Sequence, residues 1–132
     1  MQGTQGAELV PNLDLKRVDK VLEKGQDPRL EMYSAFYPPL SNPRVGDSGL
    51  AGMLRESGIT DVFVVGLAAD YCVGSTAEDA KREGFNTVIV DEATRAVDPV
   101  KWAKDKGGLE ELNGVKLVKM DGPEVKKVKH LA

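Results

Sequence analysis

Three stretches of the chain carry apolar residues at the 3.6-residue spacing of a helix, and a strand-like pattern follows each of them after a glycine. Glycine suits the left-handed conformation at a helix C-terminus, and the change from helical spacing to a continuous apolar run marks the boundary. The glycines are Gly58, Gly84 and Gly114, and the strand-like runs are residues 62–65, 85–90 and 115–118. Alternating helices and strands predict right-handed crossovers and an α/β fold with a mainly parallel sheet and flanking helices.

The predicted strands are apolar on both faces. The runs at 63–65 and 88–90 contain only Val, Ile and Phe, which is typical of a sheet covered by helices on both sides. Before the last helical stretch, Asp98-Pro99 is typical of an N-cap followed by proline at the first helical position. Trp102 is expected to anchor that helix in the core. The length of 132 residues favours one domain, residues 1–132.

The first third of the chain has a different pattern. Residues 1–14 are rich in Gln and Gly and show no usable period, whereas residues 18–23 could form one more strand that ends at Lys24-Gly25. Residues 26–45 contain four prolines and are predicted to form a long irregular loop. The aromatic residues of this loop, Tyr33, Phe36 and Tyr37, argue against disorder. A role in packing the loop is favoured for them over a ring-stacking site.

Composition and charge narrow the range of partners. The net charge is −3, and no basic run is interleaved with aromatics, so we do not expect nucleic-acid binding. No apolar run approaches the ~20 residues of a membrane span, so we do not expect a membrane partner. The single cysteine cannot form an internal disulfide, which favours a reducing compartment, the cytoplasm.

That cysteine, Cys72, is the strongest candidate for chemistry. It follows a strand-like run that stops at Gly66, and it lies where a helical pattern begins. A thiol at the positive end of a helix dipole is favoured as thiolate, the nucleophilic form. A lone cysteine beside a strand is otherwise usually a small buried apolar residue. Asp70, two residues before the thiol, could act as a base, but helix N-capping or an interaction with the helix dipole is favoured for it.

Residues 66–73, Gly-Leu-Ala-Ala-Asp-Tyr-Cys-Val, resemble the nucleophile motif of the isochorismatase-like cysteine hydrolases, and specifically the nicotinamidase branch. Five further segments agree with this resemblance in the family's order: residues 2–9, 23–25, 33–36, 76–80 and 91–95. The resemblance implies a Rossmann-like three-layer fold, in which residues 91–95 form the turn after a strand. It covers nearly the whole chain.

The resemblance also implies the roles of individual residues. Cys72 would attack the carboxamide carbon of nicotinamide and form a thioester, which water cleaves to nicotinate. Lys24 would stabilise the thiolate. Backbone N–H groups of Ala68 and Cys72 would form the oxyanion hole, with a cis peptide bond between Leu67 and Ala68. Tyr33 would lie near the pyridine ring.

The chain departs from the family pattern in two respects. The family also uses an aspartate on its first strand, and a divalent metal such as zinc held by an Asp-x-His pair and another histidine. The only histidine here is His130, at the far terminus, and one histidine with unclustered carboxylates predicts no metal site and no cofactor in this chain. We therefore expect an incomplete fold, the C-terminal part of a nicotinamidase, with weak or absent turnover.

An incomplete sheet has a further consequence. Without the family's first strands, the strand at 62–65 would be an exposed apolar edge, which predicts a homo-oligomer through that edge or a rearranged N-terminal segment. Two alternatives stay open. One is a non-catalytic, self-associating fragment, and the other is a related isochorismatase-like hydrolase of another small amide.

Overall fold

The computed structural model describes residues 3–40 and 45–131, so Pro43 and the first residue of the predicted segment 2–9 lie outside the described part. Two single 3₁₀ turns, Gln5–Ala7 and Leu15–Arg17, come first. The helices are α1 (Leu50–Glu56), α2 (Gly74–Arg82), α3 (Pro99–Asn113) and α4 (Pro123–Lys129), and a π-helical turn, Ala69–Val73, precedes α2. The strands are β1 (Asp61–Leu67), β2 (Asn86–Arg95) and β3 (Lys116–Val118).

The sheet is parallel, in the order β1-β2-β3. Its central strand, β2, aligns Ile89 with Val64 of β1 and Val90 with Val118 of β3. Val64 and Ile89 share a buried cluster with α2 and α3, whereas Val90 and Val118 pack with Val125 of α4. The two faces of the sheet are therefore covered by different helices, and the predicted α/β fold is confirmed.

Each predicted helix end is a glycine with left-handed backbone. Gly58, Gly84 and Gly114 have φ values of +69°, +96° and +67°, which L-residues with a side chain rarely adopt. Asp98 accepts hydrogen bonds from the N–H groups of Val100 and Lys101, and Pro99 follows it as predicted. Trp102 is buried in the core cluster between α3 and the sheet, also as predicted.

Residues 91–95 continue β2 instead of forming a turn, so that prediction is wrong. Pairing moves from Val64↔Ile89 to Gly66↔Thr94, a register shift that leaves extra residues on β2. The Thr94 hydroxyl donates a hydrogen bond of 2.6 Å to the Gly66 carbonyl beyond the irregularity. A bulge of this kind bends one strand and allows the ladder to resume. The pairing of β1 and β2 thus continues to Leu67, directly before the turn that holds Cys72.

The prediction of a strand at 18–23 is wrong as well. This segment follows the 3₁₀ turn Leu15–Arg17 and has no regular secondary structure. In the part of the chain that the structure describes, the sheet contains only β1, β2 and β3, so no neighbouring strand supplies ladder hydrogen bonds to it. A strand requires such a partner, because its backbone groups point sideways. Leu22 and Lys24 are nevertheless half-buried.

The predicted irregular loop has no helix or strand within its described residues, 26–40 and 45. Phe36 and Tyr37 are buried and pack with Ala51, Ala80 and Phe85. Packing of these two aromatics is therefore confirmed, whereas Tyr33 is 42% exposed.

Helix α4 was not predicted. Its lysines are exposed, but Val125 is buried against β2 and β3. None of the helices in the described residues has the length and apolar character to span a membrane.

Candidate active site

Cys72 lies in the tight π-helical turn between β1 and α2. The peptide bond between Leu67 and Ala68 is cis, as the resemblance implied. The Ala68 carbonyl accepts hydrogen bonds from the N–H groups of Tyr71 and Val73, at 3.1 and 2.9 Å. Cys72 is half-buried and its thiol is free of disulfide, so its sulfur is held beside a fixed turn without being enclosed in the core.

Gly74 permits this turn. Its N–H donates to the Ala69 carbonyl, the five-residue spacing of a π-helix. A Cβ at position 74 would lie 2.9 Å from that carbonyl oxygen, closer than real Cβ contacts allow. Gly74 was not among the predicted site residues, although a glycine two positions after the cysteine is visible in the sequence.

The structure brings Lys24 to Cys72 across 48 positions of the sequence. Lys24 Nζ donates to Cys72 Sγ at 3.4 Å and to the Met32 carbonyl at 2.9 Å. The carbonyl fixes the direction of the ammonium group, and the second hydrogen bond places its positive charge 3.4 Å from the sulfur.

Two tyrosines flank this pair. The ring centroids of Tyr33 and Tyr71 are 5.4 Å apart, with an interplanar angle of 51°, and the two residues are 42% and 45% exposed. A hydrogen bond to the Glu31 carboxylate raises the pKa of Tyr33, and Tyr71 and Cys72 add to the effect, so the Tyr33 phenol stays neutral. Tyr71 was not among the predicted site residues, although it precedes Cys72 directly.

Asp70 does not occupy the N-cap position. That position belongs to Ala68, and Asp70 lies in the first turn. Its two carboxylate oxygens accept the N–H groups of Val97 and Asp98, both at 2.9 Å. Partial burial is the largest single effect and opposes its ionisation, but the N–H groups of Asp98, Val97 and Asp70 itself and the charge of Lys101 together outweigh it and lower the pKa of Asp70. Asp70 therefore ties the turn of Cys72 to the segment entering α3.

The described residues do not provide a metal centre. Among residues 3–40 and 45–131, no three side chains of His, Cys, Asp or Glu are grouped closely enough to hold an ion. His130 forms the C-cap of α4. The described residues therefore do not fit a bound metal ion.

A cysteine at the carboxyl end of a parallel strand, with a lysine donating to its sulfur, defines a cysteine–lysine site on an α/β fold. The family description "Isochorismatase domain" matches residues 1–118, and the chain belongs to that family. The nicotinamidase of Acinetobacter baylyi is 43% identical over 98 residues, which cover 74% of this chain and 44% of that protein. The predicted resemblance to the nicotinamidase branch is confirmed.

Solved structures agree with the sequence relatives. The crystal structure of PnC1 from L. infantum in complex with nicotinate has a TM-score of 0.81 and 39% identity, covering 89% of this chain and 57% of that one. The pyrazinamidase of Pyrococcus horikoshii in complex with zinc has a TM-score of 0.74 and 31% identity, covering 89% and 59%. This chain thus spans less than two thirds of the proteins it matches.

Proposed function

We propose that this chain binds nicotinamide and hydrolyses it to nicotinate and ammonia through Cys72. The observation that carries the proposal is the 3.4 Å contact between Lys24 Nζ and Cys72 Sγ, at the end of a parallel strand. The nicotinamidase relatives and the nicotinate complex of PnC1 support the choice of substrate.

The first step is attack of the Cys72 sulfur on the carboxamide carbon. A C–S bond forms, the C=O π electrons move to oxygen, and the N–H groups of Ala68 and Cys72 receive the oxyanion. The C–N bond then breaks, and the nitrogen leaves as ammonia after taking up a proton. Water attacks the thioester, which releases nicotinate and the thiol.

Lys24 is assigned to hold the thiolate, and Tyr33, with its neighbour Tyr71, to flank the pyridine ring. In the described residues, no carboxylate is hydrogen-bonded to Cys72 or Lys24. The protons must therefore pass through water, and we propose slow turnover because a positioned acid–base group commonly contributes a factor of about 10²–10⁴.

The test is to incubate the purified chain with nicotinamide and to measure ammonia and nicotinate, with Cys72→Ala and Lys24→Met as comparisons. We expect release by the wild-type chain, none above background with Cys72→Ala, and less with Lys24→Met. Equal release by wild type and Cys72→Ala would end the proposal.

A compound that forms a covalent adduct with the nucleophile tests the site even when turnover is slow. Pyridine-3-carboxaldehyde carries the same ring as nicotinamide, and a thiolate adds to its carbonyl to form a hemithioacetal. We expect a saturable adduct on the wild-type chain, observed by ultraviolet difference spectroscopy, and none on Cys72→Ala. A wild-type chain that forms no adduct contradicts the proposed substrate site.

We also propose that the chain forms a homo-oligomer through the free edge of β1. Within the described residues β1 pairs only with β2, and Val65 and Leu67 on it are 54% and 75% exposed. An unpaired apolar edge is a template for another strand, and a second copy of the chain is the occupant proposed here.

The proposed compartment is the cytoplasm. The reaction depends on a free thiol, and Cys72 is the only cysteine in the chain. Reducing compartments keep such thiols unoxidised, and cell fractionation checks the assignment.

A further inference from the structure

The segment that carries Tyr33 is joined to α2 by a hydrogen bond of Thr76, in addition to the packing of Phe36 and Tyr37 on Ala80. Thr76 Oγ1 accepts a hydrogen bond of 3.0 Å from the N–H of Ala35. The carbonyl of Ala35 accepts a hydrogen bond of 2.6 Å from the Ser48 hydroxyl. Both backbone groups of Ala35 are therefore satisfied by side chains, in a loop that has no sheet ladder or helix of its own.

Thr76 lies four residues after Cys72, one helical turn along the same face. At the other end of the loop, the Met32 carbonyl holds Lys24 Nζ, and that ammonium donates to Cys72 Sγ. The contacts form a closed path from the sulfur to Lys24, along the backbone from Met32 to Ala35, and back to α2 through the Thr76 hydroxyl.

We propose that Thr76 is a positioning residue for this site, an inference that rests on the proposed function. Its hydroxyl sets the distance between the helix that begins at Cys72 and the loop that bears Tyr33 and clamps Lys24. The turn of Cys72 has its own supports, the Ala68 carbonyl and Asp70. Loss of the Thr76 hydroxyl therefore displaces the groups around the sulfur and leaves the sulfur itself in place.

The test compares Thr76→Val with Thr76→Ser. Valine keeps the branched shape and removes the acceptor for the Ala35 N–H, whereas serine keeps the acceptor. Thr87→Val is the control on β2, because it too removes a threonine hydroxyl that is bonded to the backbone: the Thr87 hydroxyl, which is more buried than the half-buried Thr76, donates to the Phe85 carbonyl at 3.1 Å. Thermal unfolding followed by circular dichroism shows whether each variant folds.

The first readout is the dissociation constant of the pyridine-3-carboxaldehyde adduct. We expect Thr76→Val to raise it about tenfold, the scale set by a backbone donor that loses its acceptor. Thr76→Ser should restore it to within about twofold of wild type, and Thr87→Val should leave it unchanged. A purely structural role for Thr76 predicts equal effects of Thr76→Val and Thr87→Val at equal loss of stability, and that result overturns the proposal.

The second readout needs no substrate site and separates this proposal from the proposed function. Iodoacetamide alkylates Cys72 directly, and we expect Thr76→Val and Lys24→Met to slow it by similar factors, with Thr76→Ser close to wild type. If that pattern appears while nicotinamide is not hydrolysed and the aldehyde forms no adduct, the proposed substrate is wrong and the positioning role stands. Equal alkylation rates in wild type and Thr76→Val overturn the positioning role.

Discussion

The carboxylate of Asp70 joins two segments that are distant in the sequence. One oxygen accepts the N–H of Val97 and the other accepts the N–H of Asp98, so the turn of Cys72 and the start of α3 are held as one unit. Ionised acceptors make stronger hydrogen bonds than neutral ones. These two bonds, together with the backbone N–H of Asp70 and the charge of Lys101, lower the pKa of Asp70 against the opposing effect of partial burial.

Asp70 should therefore contribute to stability in a pH-dependent way. Because its folded-state pKa lies below the unfolded value of about 3.9, its contribution is complete above that value and is lost as the pH falls through the folded pKa. Asp70→Asn keeps the shape but places an NH₂ group against a backbone donor. We expect a lower free energy of unfolding than wild type at pH 7, and a difference that shrinks below pH ~4.

Urea unfolding between pH 7 and 2.5 measures this difference. Asp27→Asn serves as the comparison, because a hydrogen bond from the Arg29 side chain lowers the pKa of Asp27 to about 2 at a half-buried position remote in sequence from the turn. A wild-type minus Asp70→Asn difference that is constant over this pH range contradicts the assignment.

At the residue scale, sequence reasoning reached Cys72 from local pattern alone. Lys24 and Tyr33 came only from the resemblance, because no periodicity links a lysine to a thiol 48 positions away. The contacts of Asp70 and Thr76 depend on where the β2–α3 connection and the 32–35 loop pass over the turn. Neither position is encoded in the residues next to them.

At the scale of elements, the π-helical turn decides where the sulfur lies. The turn accommodates glycine at position 74, because a Cβ at this position would lie 2.9 Å from the Ala69 carbonyl oxygen. We expect Gly74→Ala to destabilise the fold by about 1–3 kcal/mol, the usual cost of overpacking, and to change the alkylation rate of Cys72. Urea unfolding and iodoacetamide kinetics give the two quantities.

Gly52→Ala is the matched control for this substitution. Gly52 is exposed in α1, and a Cβ there meets nothing within 4 Å. Alanine is favoured over glycine in a helix by roughly 0.5–1 kcal/mol, so Gly52→Ala should stabilise. If both substitutions stabilise the chain, the turn does not depend on glycine.

Helices and strands were predictable where glycine and apolar spacing coincide, as at Gly58, Gly84 and Gly114. The errors fall where an element depends on another element. The extension of β2 through residues 91–95 depends on the register shift against β1, and residues 18–23 have strand-like composition but no paired neighbour in the described part of the chain. Short α4 depends on one buried valine, Val125.

At the scale of the whole molecule, the open edge of β1 should determine the association state. A lysine on an edge strand opposes pairing with another strand, so Val65→Lys should shift the chain toward monomer. Val100→Lys, at a 70% exposed position of α3, is the matched control and should leave the mass unchanged. Sedimentation velocity at several concentrations measures both, and a monomeric wild-type chain contradicts the proposed edge pairing.

Cys72 and Lys24 belong to parts of the molecule that differ in the free energy of local opening. Cys72 follows a strand paired in the sheet, whereas Lys24 is delivered by residues 18–24, which have no regular secondary structure. Local opening is cheapest where ladder bonds and buried contacts are few. On warming, the ammonium should therefore leave the sulfur while the sheet is still intact, and loss of the proposed activity should precede the melting of the protein.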